Sequence, residues 1–295
     1  MGNKVTLVRI RGLEPPPVCY AGLMEIEAQE GRISAPAATC AANIFELKHF
    51  VIATGEQQVR MLKINIELSD AVGSLPPELG RQLTKHPSFM KLHEVTCKGA
   101  NISKLLSQYD SLVTELTFCR MVDYYLLYLS ELLALIFKTR PEALKSDDKV
   151  SVETILEYST REELIAAITE QKVLDLSFKG VVALNEYLKR RLSFALFERE
   201  KSLQIAAELV ENRNLYIHNR GIVNRRYLSR MPNSTLKLGD HLTGETVGAS
   251  RAASVILILV LATDTRAADK FGIPTEVDQA ELVKEHKNAF EKAHL

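Results

Sequence analysis

From Leu112 onward the apolar residues fall in steps of three and four: Leu112, Leu116, Cys119, Val122, Leu126, Leu129, Leu133 and Ile136. That spacing lays side chains along one stripe of an α-helix. It predicts a long amphipathic helix over 109–138 with all eight residues on its inner face, ended with the help of Pro141. A second helix is predicted over "TREELIAAITEQ", where Thr160 and Glu163 have the spacing of a capping box. "FKGVVALNEYLKRRLSFALFEREKSLQIAAELVENRN" predicts one or two more, the last turning Leu203, Ala206, Ala207 and Val210 inward. "SRAASVILILVLATDTRAADKFG" is a further helix, and "TEVDQAELVKEHKNAFEKAHL" a capped, exposed terminal one. Gly221 to about Gly248 reads as loop with a short hairpin. Long amphipathic helices joined by modest loops define a bundle.

The first hundred residues carry a weaker pattern. "KVTLVRIRG" alternates like a strand, "EPPPV" is a stiff connector, and "GSLPPELG" is another break. The intervening "ANIFELKHFVIATGEQQVRMLKINIEL" suits mixed strand and helix. The expected organisation is a mainly α protein. Residues 1–105 form an amino-terminal region of mixed α/β character and unassigned role, and residues 106–295 form the helical bundle.

With 295 residues, 46% of them apolar, the chain can bury a real core as one large domain or two modest ones. Lys+Arg and Asp+Glu both total 37, so overall charge selects no partner and only a local excess matters. Cys19, Cys40, Cys97 and Cys119 lie far apart, with no C-x-x-C pair. That pattern is neither a disulfide framework nor a zinc site, and it suits the reducing cytosol. "MGNKVTLVRIRG" lacks the apolar run of a signal peptide, although Gly2 and Thr6 match the short myristoylation pattern. The most apolar run, Ala252 to Ala262, is far shorter than the roughly 20 residues that cross a bilayer. The expectation is a cytoplasmic protein with no membrane span.

Against this background "ENRNLYIHNRGIVNRR", Glu211 to Arg226, is unusual. With Val210 as the centre of the inner face and about 100° per residue, Ile217 falls about 20° away, in the core, and Asn214 and His218 fall about 40° and 80° to one side. Arg213 falls about 60° to the other side. Asn214 and His218, four apart, share an edge, while Arg213 and His218 do not converge in an ideal helix. Either the helix loosens near His218, or a second copy of the chain completes the site.

From Asn212 to Gly239 there is no Asp or Glu, but there are Arg213, Arg220, Arg225, Arg226, Arg230 and Lys237. Arginines beside a titratable histidine suit a polyanion, because guanidinium forks match phosphate oxygens and imidazole moves protons near neutral pH. The plainer explanation is a basic helix end favoured by the macrodipole, with a capping histidine. The same Arg-to-His interval recurs in "RQLTKH", Arg81 to His86, followed at once by Pro87 and with no long helix before it, so spacing alone decides little.

The context adds to it. A helical bundle whose penultimate long helix ends in R-N-x-x-x-H resembles the HEPN family (higher eukaryotes and prokaryotes nucleotide-binding), over roughly residues 105–270. The resemblance implies an all-α bundle and, for many members, a dimeric, metal-independent endoribonuclease of toxin–antitoxin or antiphage systems. The implied reaction is attack of a ribose 2′-hydroxyl on the adjacent phosphorus, leaving a 2′,3′-cyclic phosphate. On this resemblance Arg213, Asn214 and His218 are the catalytic set: His218 moves the proton, Arg213 stabilises phosphoryl charge, and Asn214 orients one of them. Arg220, Arg225 and Arg226 would bind the RNA backbone. The implied partners are RNA (tRNA among the candidates), a second copy of the chain, and an antitoxin or nucleotidyltransferase. No cofactor is implied.

The alternative within the same resemblance is a non-catalytic module that binds a partner protein or a nucleotide. A plain helical DNA-binding domain has no recognition-helix signature behind it. There is no P-loop, G-x-G-x-x-G, H-E-x-x-H or G-x-S-x-G. His86, His93 and Cys97 offer three ligands with Pro87 between them, which reads as no metal site. Tyr124, Tyr125 and Tyr128 read as helix packing rather than a base-stacking platform.

Overall fold

A computed structural model describes residues 32–48, 109–144, 157–242 and 248–282 except residue 280, together with isolated positions between 50 and 98 and at 155. The elements are β1 (Arg32–Ile33), α1 (35–48), α2 (Asp110–Thr139), a 3₁₀ turn (Pro141–Leu144), α3 (Arg161–Lys179), α4 (Val181–Leu192), α5 (Glu200–Asn219), α6 (Arg225–Arg230), α7 (Ala249–Phe271) and β2 (Val277–Asp278). The protein is mainly helical, as the periodicity predicts, with one two-stranded antiparallel sheet among the described residues, pairing Arg32 with Asp278 and Ile33 with Val277. "KVTLVRIRG", the "EPPPV" connector and residues 283–295 lie outside the described residues. So do His93 and Cys97, and no metal-ligand cluster occurs among the described residues.

α2 is the central element. α7 packs along it, and α3 and α5 lie against other parts of its surface. Its inner face buries Phe118, Met121, Val122, Tyr125, Leu129, Leu132, Leu133, Ile136 and Phe137. Each such side chain contributes on the order of 1.5–3 kcal/mol of transfer free energy. Thr139 ends the helix directly before Arg140 and Pro141, as the position of the proline predicts. Tyr125 and Tyr128 are wholly buried, so these two tyrosines pack rather than stack on bases. The predicted stripe breaks at its start: Leu112 and Leu116 are 48% and 60% exposed. At about 100° per residue Leu116 lies about 160° and Leu112 about 120° round the helix from Phe118, so the steps of three and four drift off the buried face at this end. Asp123 meets Arg213 and Phe118 meets Tyr216, so α5 runs antiparallel to α2.

The α3 capping box forms as its spacing predicts: Glu163 N donates to Thr160 Oγ1 at 3.1 Å, and Thr160 N to Glu163 Oε2 at 3.3 Å. The apolar run 252–262 is the buried face of α7, through Ala252, Ala253, Val255, Ile256, Leu259 and Val260. No helix among the described residues is long and apolar enough to cross a membrane.

Residues 32–48 join the same core. Ala37, Cys40, Ala41 and Ile44 of α1 pack with α2 and α7 residues. Ser34 fixes this segment in place: its N–H and hydroxyl donate to the two oxygens of buried Asp264 on α7, at 2.8 and 2.6 Å. Burial raises the Asp264 carboxyl above its usual range, and the Ser34 bonds partly oppose that rise. Burial likewise pushes the Cys40 thiol up to about 12 and Cys119 to about 11, so neither is a ready nucleophile.

Candidate functional site: the carboxyl end of α5

α5 stays α-helical through His218 and Asn219, so the helix does not loosen to bring the histidine round. It stops because Arg220 takes a left-handed conformation (φ 53°) and Gly221 follows at φ 75°, letting Gly221 N reach back to Leu215 O at 3.0 Å. A methyl at Gly221 would meet Leu242 O at 3.0 Å, Tyr216 Cε1 at 3.2 Å and His241 Cε1 at 3.3 Å. Glycine is therefore needed there for space as well as for φ.

The chain then folds back over the helix end. Val223 N donates to Asp240 O, and Leu242 N to Gly221 O, at 2.9 and 2.8 Å. The hairpin expected in this loop is thus a minimal one, a single bridge between Ile222 and His241, and it encloses the short helix α6. Asn224 caps α6 by accepting from Tyr227 N at 2.9 Å. Tyr227 in turn donates its hydroxyl to buried Asn212 at 3.0 Å, and Leu215, Val223 and Tyr227 form a small second core. This satellite covers the face of α5 that carries Asn212 and Leu215. Ile217, expected in the core from the periodicity of α5, is instead 48% exposed.

Arg213 and Asn214 come together. The Arg213 Nη1 donates to Asn214 Oδ1 at 3.2 Å, so the guanidinium reaches the edge that Asn214 shares with His218, despite the angular offset of the Cβ positions. The same guanidinium is held from the other side by Asp123 of α2: Nε and Nη2 reach one carboxylate oxygen at 2.9 and 2.7 Å. His218, one turn beyond Asn214, is exposed. No hydrogen bond ties it to another side chain among the described residues.

The positive patch is smaller than the sequence indicates, because acids from outside the span 212–239 enter it. Asp123 pairs with Arg213, and Glu211 with Arg230. Arg220, Arg225, Arg226 and Lys237 remain exposed and form no ion pair among the described residues. The competing motif is unlike this one: Arg81 bonds Pro77 O and pairs with Glu78 on an exposed stretch.

Two residues escape sequence reasoning, Asp123 and His241. Asp123 has a faint signal, as a lone carboxylate inside the aromatic and aliphatic run "MVDYYLLYL". His241 has none, since only the back-folding of the loop brings it to Gly221. No family model, curated protein or solved structure matches this chain.

Proposed function

We propose that the protein is a metal-independent endoribonuclease, cutting RNA by 2′-hydroxyl attack on phosphorus to leave a 2′,3′-cyclic phosphate. The observation that carries the reading is the arrangement Asp123–Arg213–Asn214 with exposed His218 one turn on. A guanidinium has five N–H donors. Asp123 and Asn214 occupy three, so an oriented arginine keeps two for phosphoryl oxygens. His218 takes part in proton transfer. Exposed Arg220, Arg225 and Arg226 hold the RNA backbone with little sequence preference. A second copy of the chain, bringing its own Arg213 and His218, would complete the groove. A tRNA is a suitable substrate, and an antitoxin or nucleotidyltransferase a suitable regulator, on the HEPN resemblance alone.

One observation favours a second reading. The Arg213–Asp123 pair is also what a structural arginine makes, and it suits a non-catalytic module that binds a partner protein or nucleotide. Incubation with total tRNA in EDTA separates the two. The nuclease yields discrete fragments with cyclic-phosphate ends, and His218→Ala abolishes them while the fold persists. Cleavage at near wild-type rate by that variant removes His218 from the chemistry, and no cleavage by the wild type leaves the binding module.

A further inference from the structure

Cutting RNA by 2′-hydroxyl attack moves two protons. One leaves the 2′-oxygen as it bonds to phosphorus, and another must reach the 5′-oxygen as its bond to phosphorus breaks. His218 can serve one of these transfers, and the structure brings a second imidazole to the same end of α5.

His241 faces Ile222 across the antiparallel bridge. The bonds on either side, Leu242 N to Gly221 O and Val223 N to Asp240 O, make Ile222 and His241 a non-hydrogen-bonded pair, the kind whose side chains approach most closely. The ring therefore lies beside Ile222, only four residues after His218 in the chain, with Cε1 3.3 Å from the place a Gly221 Cβ would occupy. His241 is exposed, so its ring reaches solvent. Its Nδ1 lies 3.1 Å from Leu242 O. A carbonyl oxygen can only accept, so this contact requires a proton on Nδ1 and leaves Nε2 as the nitrogen available to substrate. Tyr216 Cε1 of α5 lies 3.2 Å from the same Gly221 Cβ position, on the helix side of the ring.

We propose that His241 donates the proton to the departing 5′-oxygen, while His218 accepts the proton of the attacking 2′-hydroxyl. The assignment rests on the ribonuclease reading. The step balances: the 2′-oxygen–phosphorus bond forms, the phosphorus–5′-oxygen bond breaks, His218 ends protonated, and His241 ends neutral, still bonded to Leu242 O.

The test uses a short synthetic RNA spanning a cleavage site mapped on total tRNA, made with oxygen or with sulfur as the bridging 5′ atom at that linkage. A thiolate leaves without being protonated, so sulfur removes the need for a general acid. His241→Asn keeps a side-chain N–H for Leu242 O but cannot donate the proton. It should cut the oxygen substrate slower by about 10²-fold or more, and the sulfur substrate within a few-fold of wild type. His218→Ala should stay slow on both. If His241→Asn is unimpaired, or slowed equally on both substrates for any reason including misfolding, the assignment is overturned while a dead His218→Ala keeps the ribonuclease reading. If the wild type cuts neither tRNA nor the synthetic RNA, both fall together.

Discussion

Asp123→Ala tests the geometry on which the site is built. The variant leaves the Arg213 guanidinium with Asn214 and no counter-charge among its partners. The two side chains are 23% and 32% exposed, between the surface and the interior. Exposed pairs contribute about 0.2–1 kcal/mol, and breaking a buried pair costs about 3–5 kcal/mol, so an intermediate loss of about 1–2 kcal/mol is expected here. At roughly 2–4 °C per kcal/mol for a chain of this class, Tm should fall by about 2–8 °C. Asp123→Asn keeps an oxygen acceptor without the charge and should lose less. Circular-dichroism melts of the three proteins in low and in 1 M salt give the answer. Screening should narrow the gap between wild type and Asp123→Asn, because the Debye length falls to about 3 Å at 1 M. An Asp123→Ala melt within a degree of wild type would show that Asp123 does not hold Arg213, and the oriented guanidinium would go with it.

Gly221→Ala should destabilise by about 2–3 kcal/mol in urea titration, since strain at positive φ adds to three close contacts, one of them with backbone. Gly239→Ala, at φ 89° with nothing within 4 Å, should carry the strain alone, about 1–2 kcal/mol, and equal losses would count against the packing argument. Burial raises the Glu208 carboxyl above its ordinary range. The folded state therefore binds that proton more tightly than the unfolded, and stability falls as pH rises from the unfolded value through the folded one. Melts of Glu208→Gln against wild type from pH 4 to 8 should show a relative gain for the variant that grows with pH and then levels. Thr160→Ala should lose about 1 kcal/mol with the capping box of α3, a loss that Thr160→Ser largely avoids. Arg225→Gln with Arg226→Gln should weaken RNA binding across sequences and flatten its salt dependence by a slope of about 1–2, measured by filter binding.

Much of the bundle was legible because α2, α5 and α7 each bury a stripe at helical spacing, and because Thr160, Glu163 and Pro141 mark boundaries by local chemistry. What the periodicity misses is how far such a stripe holds. Leu112 and Leu116 drift to the outer side of α2 while keeping three-and-four spacing, and at the end of α5 it is Leu215, under the satellite core with Tyr227, that is buried while Ile217 is exposed. The site shows the same division. Arg213, Asn214 and His218 are close in sequence and could be singled out there. Asp123 is 90 residues from Arg213, and His241 arrives through a loop closed by backbone bonds at Gly221, so neither pairing has a short-range signature.

The nucleophile itself gives the most direct test of the ribonuclease account. A synthetic RNA spanning a mapped cleavage site is compared with the same strand carrying a single 2′-deoxy nucleotide 5′ to the scissile phosphate. The account predicts that the parent is cut in EDTA to a 2′,3′-cyclic end and that the deoxy strand stays intact at that linkage. Cutting of both strands alike, or of neither, contradicts it.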